Sequence, residues 1–309
     1  MTQYTPIWDV LNHSKQDIME ISTTSGLYTL VSTNIKKMTD RIETYIVDSF
    51  TDKPFKGNPA GVCILNQKLT DKKMQSIAKE LGLSETAFIC KIDNQDKYSI
   101  RYFSPVMEIP LCGHATLASS KVLFEINSKI DTIHFKNIQD LDLIIKKYGE
   151  KIEMEFPVYD TIPQNAPSEL LNALGIETII NSEFNKETNI LLLEIDNCEI
   201  LNNLSPDFEK LKRSHNSING VLITATSQRD NYDFESRYFW PWSGTNEDPV
   251  TGGTHTFLAK YWSNRLNKKK MNSYQCSERT GFMEVELINE NKLLIKSEAQ
   301  IILKGELRI

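Results

Sequence analysis

The sequence predicts an α+β fold built as two similar halves, and three observations carry that expectation. Hydrophobic content of 40% and charged content of 25% over 309 residues describe a globular chain with a substantial core and about two domains of ordinary size. Segments of strand-like alternation and of helical spacing follow one another along the chain. Finally, when the chain is slid along itself by 136 residues, RYFSP at 101–105 falls on RYFWP at 237–241. Related elements flank both copies, which points to one supersecondary unit used twice.

The elements follow in order. Residues 1–40 lack strong periodicity, apart from a short helix expected around 14–21, and are read as an extension outside the repeat. They are expected to be dispensable to the core, and Met38 is an alternative start for the repeat-bearing chain. The first half is expected over 41–150 and the second over 151–309, with C-terminal strands returning to the first. IETYIVDSF (42–50) reads as a strand, TDKPFKGNPA (51–60) as a loop and GVCIL (61–65) as a second strand. A helix is predicted over TDKKMQSIAKELG: Thr70 stands at the N-cap, Met74, Ile77, Ala78 and Leu81 are helically spaced, and Gly82 marks the stop. SETAFICKI and YSIRYF are strands joined by a hairpin-type turn, DNQD.

Laid over the second copy without a gap, SETAFICKI covers GVLITATS and DNQD covers SQRDN. E-x-P-x-x-G at Glu108–Gly113 matches E-x-P-x-x-G at Glu247–Gly252, and each runs into a small-residue helical stretch. A helix start offers unpaired N–H groups and a positive dipole end, a cradle for a carboxylate or phosphate. Gly113, Gly252 and Gly253 would let the backbone approach a ligand there. Read alone, one such junction is equally a tight turn before a buried helix.

The copies differ in an informative way. Ile109 is matched by Asp248, Cys112 by Thr251, His114 by Gly253, and Glu85 by Val221. Facing halves would then bring Glu85, His114 and Asp248 into one cleft, two carboxylates and an imidazole suited to acid–base work. Desolvation by Ala87 and Phe88 is expected to raise the Glu85 pKa above about 4.3. Taken singly, Glu85 also reads as a solvated strand end, His114 as a helix cap and Asp248 as part of a turn. Metal binding is disfavoured, because Cys112 and His114 stand alone with no second Cys/His pair at ligand spacing.

Other classes recede. Net charge is −6 and no Lys/Arg block exceeds NKKK at 267–270, which disfavours a nucleic-acid partner. Five scattered cysteines without a CxxC pair are the usage of a reducing compartment. With no apolar run of membrane-spanning length and no signal-like N-terminus, a cytoplasmic protein with no membrane partner is expected.

VDSFTDKPFKGNPAGVCIL, LSETAF, RYFSPVMEIPLCGHATLA and EDPVTGGTH closely resemble the phenazine-biosynthesis PhzF-like family, from about Ile42 to Leu307. The resemblance implies a diaminopimelate-epimerase-like fold, each half a sheet wrapped around a central helix. It also implies an isomerase that needs no cofactor and works as a homodimer on a small, carboxylated, cyclic metabolite. By motif match Glu85 is the residue that takes and returns a proton, His114 and Asp248 are its catalytic partners, and Asn58 borders the pocket. Amides beside Gly113 and Gly252 would hold the substrate carboxylate. The family usually has Gly-Ser-Ala-His after Val-Thr, and this chain has Gly252-Gly253-Thr254-His255, so Thr254 is the candidate for the lost hydroxyl. Racemase relatives use two opposed cysteines; here Cys112 holds the first position and Pro249 lies near the second. A thiol-dependent racemase is therefore the weaker enzyme reading, and a non-catalytic binding or docking protein is the alternative from another class.

Overall fold

The alternation that begins at Ile42 becomes strand β1 (Arg41–Ser49) in the computed structural model, which describes residues 41–92 and 97–309. Ahead of these it describes only two-residue strands, Met19–Glu20 paired with Val31–Ser32 and Thr23–Thr24 paired with Leu27–Tyr28. Residues 14–18 and 21 of the expected first helix and the expected turn at 93–96 lie outside the described residues, whereas Met19 and Glu20, expected to be helical, are strand. Residues Ile42–Leu307 form one compact unit.

In the first half β1 pairs antiparallel with β2 (Asn58–Leu65), which begins inside the stretch expected to be loop. Helix α1 (Asp71–Leu81) starts where Thr70 accepts a hydrogen bond from the Lys73 amide. It stops at Gly82, whose left-handed φ of 64° suits a residue without Cβ. Strand β3 (Glu85–Lys91) runs parallel to β2 and antiparallel to β4 (Lys97–Phe103), which pairs with the short β5 (Glu108–Ile109). Then come α2 (Gly113–Ile126), β6 (Thr132–Lys136) parallel to β4, β7 (Asp142–Tyr148) and β8 (Lys151–Pro157).

The second half repeats this plan. After β9 (Ile162–Pro163) and α3 (Ser168–Leu174), β10 (Asn181–Asn185) pairs antiparallel with β11 (Ile190–Glu194). Two short helices follow, α4 (Cys198–Asn203) and α5 (Phe208–Ser214). Strand β12 (Gly220–Thr226) is parallel to β11 and antiparallel to β13 (Phe234–Trp240), which pairs with β14 (Thr245–Asp248). Helix α6 (His255–Leu266), β15 (Lys270–Gln275) parallel to β13, β16 (Gly281–Asn289), β17 (Lys292–Ser297) and β18 (Ala299–Arg308) complete the chain. Strand β17 pairs with β8 of the first half as well as with β16.

The same bidentate ion pair fixes the repeated motif in each half. Arg101 Nε and Nη2 reach the two oxygens of Glu108 at 2.7 and 2.6 Å, and Arg237 meets Glu247 at 2.7 and 2.8 Å. In both, the arginine of the long strand clamps the glutamate of the short strand beside it. Tyr102 pairs with Ile109 and Tyr238 with Asp248, so Ile109 and Asp248 are equivalent positions, as the motif match predicts.

The register corrects one equivalence. Thr86 stands opposite Phe103 and Val221 opposite Phe239, so Glu85 corresponds to Gly220 and not to Val221. The second hairpin loop is one residue longer, which an ungapped overlay cannot absorb.

Helices α2 and α6 are buried over most of their length, α2 at His114–Ser120 and Val122–Phe124 and α6 at His255–Ala259, Tyr261 and Trp262. Helix α2 packs on β2, β3 and β8, and α6 on β15 and β16. One apolar cluster runs through both halves, from Tyr45 and Val62 through Leu117 and Phe124 to Phe257, Trp262 and Val285. Trp262 stacks on Phe234 at 5.5 Å and donates its indole N–H to Thr224. A second cluster fills the space between α3, α4, α5 and the far face of β12 and β13.

Candidate active site

Three chain segments converge beside the start of α2. Glu85 is the first residue of β3, held in place by parallel pairing with Ala60. His114 is the second residue of α2, and its backbone carbonyl accepts a 2.7 Å hydrogen bond from Ser49 of β1. Asp248 ends β14 in the other half. Glu85 Oε2 lies 3.1 Å from His114 Nε2, and the two side chains are only 12% and 10% exposed. Ser84 Oγ is 3.3 Å from the same nitrogen. Cys112 Sγ flanks the ring at 3.5 Å from Nδ1 and 3.8 Å from Nε2.

Asp248 touches neither Glu85 nor His114 through a hydrogen bond, but it feels the charge of both. Its own oxygens are taken by Asn58 Nδ2 at 2.9 Å and by the Thr251 hydroxyl. Asn58, fully buried, donates also to the Val250 carbonyl at 2.9 Å and so ties β2 to the second half. The Asn58 loop is itself anchored by Arg279, which bonds Asp48 and the carbonyls of Lys56 and Gly57.

The electrostatics reverse one expectation. Burial pushes the Glu85 carboxyl up, but hydrogen bonding and charge from His114, helped by Ser84 and Cys112, outweigh it and leave its pKa lowered. Burial disfavours the charge of His114, but its electrostatic coupling and hydrogen bonds to Cys112 and Glu85 overcome that cost and raise its pKa well above the ordinary imidazole value. Burial raises the Cys112 thiol. The carboxyl lifted toward neutrality is instead Asp248, pushed up to about 6 by desolvation and by the Glu85 charge, against His114, Thr251 and Asn58.

The two halves differ at the position of Glu85. A Cβ at Gly220, the counterpart of Glu85, would meet the Tyr238 ring at 2.5 Å. The Tyr238 ring occupies the space beside Gly220, where the first half carries Glu85.

The cradle glycines differ among themselves. A Cβ on Gly113 would stand 3.3 Å from Phe156 and one on Gly252 2.9 Å from Phe50, while one on Gly253 would meet nothing within 4 Å. An apolar cleft of about 280 Å³ opens against Gly113 and Thr116, walled by Leu111, Leu143, Met154 and Phe156; Glu85, His114 and Asp248 do not line it. Thr254 is turned inward. It is 1% exposed, and its hydroxyl donates to the Thr251 carbonyl.

Two positioning residues escaped the sequence reading. Gln275 is 1% exposed; it donates to the Asp248 carbonyl at 2.7 Å and accepts from the Thr251 amide at 2.9 Å. His255 holds the Thr251 carbonyl through Nδ1 and meets Ser273 through Nε2, and burial pushes its pKa down to about 4. Neither carries a motif of its own; His255 is visible only as the end of Gly252-Gly253-Thr254-His255.

Glu85, Cys112 and His114 also bring three potential ligand atoms within 4.8 Å of one another. Spacing along the chain hides this group, because Glu85 arrives from a separate strand. Among the described residues no helix is long and apolar enough to cross a membrane.

Comparison with known proteins agrees with this architecture. The family model for phenazine biosynthesis-like proteins, PhzC–PhzF, matches residues 47–305. An uncharacterized isomerase of Halalkalibacterium halodurans is 40% identical over 266 residues, covering 85% of this chain and 97% of its own. The crystal structure of a PhzF-family protein from Enterococcus faecalis superimposes with a TM-score of 0.79 at 38% identity, covering 87% of this chain and all of that one. A predicted epimerase of Pseudomonas aeruginosa shares the fold, with a TM-score of 0.68 at 19% identity over 87% of this chain and 99% of its own.

Proposed function

Since the chain belongs to the PhzC–PhzF family of phenazine biosynthesis-like proteins, whose relatives include a named isomerase, we propose that its isomerase-type chemistry is a proton transfer between carbons. The substrate is a small, cyclic, carboxylated metabolite, and one residue, Glu85, removes and returns the proton. The observation that supports this most strongly is the Glu85–His114 pair at 3.1 Å, nearly closed off from solvent.

Glu85 is held ionised by His114 and is therefore ready to accept a proton from a carbon acid. As the C–H bond breaks, its electron pair moves into the unsaturated ring. The protonated carboxyl then returns the proton to a second ring carbon, so the enzyme ends unchanged. His114, donating to Glu85, fixes which oxygen faces the substrate. The substrate carboxylate rests on the first amides of α2, where the helix dipole favours negative charge. Asp248, its pKa pushed up to about 6, exchanges a proton more readily near neutral pH than an ordinary carboxyl as charge moves through the site. A homodimer is the proposed assembly.

The test is solvent exchange. Small cyclic unsaturated carboxylates incubated with the protein in heavy water should gain deuterium at carbon, read by mass spectrometry. Saturable binding of such compounds with no exchange in any of them would replace the isomerase by a non-catalytic binding protein.

A further inference from the structure

The two halves also differ on the sheet face that turns away from α2. In the second half residues 195–207 join β11 to α5 and include α4, whereas in the first half only residues 66–70 join β2 to α1. Helix α4 packs on β12 and β13, and its buried Leu201 and Leu204 share an apolar cluster with Ile223 and Ala225. The carbonyls of Leu201 and Leu204, at its C-terminal end, accept from Arg237 Nη1. Phe88 stands opposite Arg101 as Ile223 does opposite Arg237, and Cys90 opposite Ser99 as Ala225 does opposite Glu235. In the place that α4 fills, the first half therefore has a groove of about 340 Å³, lined by Leu65, Met74, Phe88, Cys90 and Ser99. Ala87, Ile89 and Tyr102 alternate to the opposite face and join the core with Leu117 of α2, so the groove is separate from the site of Glu85 and His114.

We infer that this groove docks a partner polypeptide, through one helical turn that carries leucine-like side chains three residues apart and ends in open carbonyls. The first ground for that occupant is α4 itself, which fills the matching place in the same molecule with such a turn. The second is charge. Lys68, Lys136 and Arg101 line the groove against the single carboxylate of Asp71, which suits the negative C-terminal end of a helix. Arg101 Nη1, the counterpart of the nitrogen that α4 engages, is held at 2.7 Å by Asp71, whose side chain is 78% exposed and readily displaced. Lys136 meets Asp140 at 3.3 Å in an equally exposed pair. The docking is independent of the isomerase reading.

The probe is a labelled synthetic peptide of residues 195–207 carrying Cys198→Ser, acidic at Asp196 and Glu199, titrated into the full chain and followed by fluorescence anisotropy. Cys90 reports the location, because it lies in the groove and the other four cysteines are buried. At ten times its dissociation constant the peptide should slow alkylation of Cys90 by about tenfold, read by mass spectrometry. Binding should be lost with Leu201→Ala and Leu204→Ala together in the peptide. It should also be lost in the protein variant Cys90→Trp, which fills the groove, and weaken in Lys68→Glu with Lys136→Glu, which leaves the groove's floor untouched; circular dichroism checks both folds. Absence of saturable binding up to about 1 mM peptide would overturn the proposal. So would binding that leaves Cys90 alkylation unchanged, or equal binding of the peptide without its leucines.

Discussion

At the scale of single residues, position decides chemistry more than residue type. Glu85 and Asp248 are both desolvated carboxylates, yet they move in opposite directions because only Glu85 has an imidazole at 3.1 Å. Carbon-13 titration of the carboxyls should find Asp248 with a midpoint near 6 and Glu85 below the ordinary glutamate range. Glycines give a second contrast. Gly220→Ala drives a Cβ into Tyr238 and should destabilise the fold by about 1–3 kcal/mol, as overpacking does. Gly253→Ser enters open space and should change stability by less than about 0.5 kcal/mol, both read from denaturant midpoints. The sequence displayed Glu85, His114 and Asp248 as the places where the repeat loses its symmetry. It could not display the sign of the Glu85 shift, because that depends on the distance to a histidine from a different element. The engagement of the Thr254 hydroxyl by a carbonyl in its own loop was hidden for a similar reason.

At the scale of elements, the repeated Arg–Glu clamp ties each short motif strand to its neighbour. The two copies differ in burial, with side-chain exposures of 10% and 18% for Arg237 and Glu247 against 24% and 22% for Arg101 and Glu108. Arg237 also donates to the carbonyls of Leu201 and Leu204 at the end of α4. Arg237→Ala should therefore cost about 3–5 kcal/mol, the cost of orphaning a buried charge, and Arg101→Ala clearly less, as thermal melts would show. His255 supplies an acid-sensitive element. Its folded pKa of about 4 lies below the ordinary 6.5, so the unfolded chain binds the extra proton. Stability from this residue is present above pH 6.5 and is lost as pH falls toward 4, by about 3 kcal/mol in all. Asp248 works in the opposite sense over an overlapping range, so the effect is isolated by comparing wild type with His255→Gln across pH. Helix α1 was legible because Thr70 and Gly82 cap it locally; the one-residue slip between β3 and β12 was not, since a longer loop leaves no mark on strand patterning.

At the scale of the whole molecule, duplication explains both the fold and the single site. Parallel, antiparallel and short antiparallel pairings recur in the same order in each half, and one apolar cluster unites them. A chain beginning at Met38 retains Ile42–Leu307 whole and should unfold in one cooperative transition at a midpoint close to that of the full chain. Aggregated or molten product would make residues 1–37 part of the folding unit. The two-half plan was readable from RYFSP and RYFWP alone, whereas the bonds that join the halves at Asn58 and Arg279 appear only in three dimensions. The central claim is that one carboxylate, without a second base, moves the proton. The most direct measurement is deuterium incorporation into a bound cyclic carboxylate by Glu85→Gln and by Cys112→Ala, side by side. The account predicts a loss of about 10²–10⁴-fold in the first, with folding and ligand binding intact, and a far smaller loss in the second. Exchange that survives in Glu85→Gln and disappears in Cys112→Ala would contradict it and place the thiol at the centre of the chemistry.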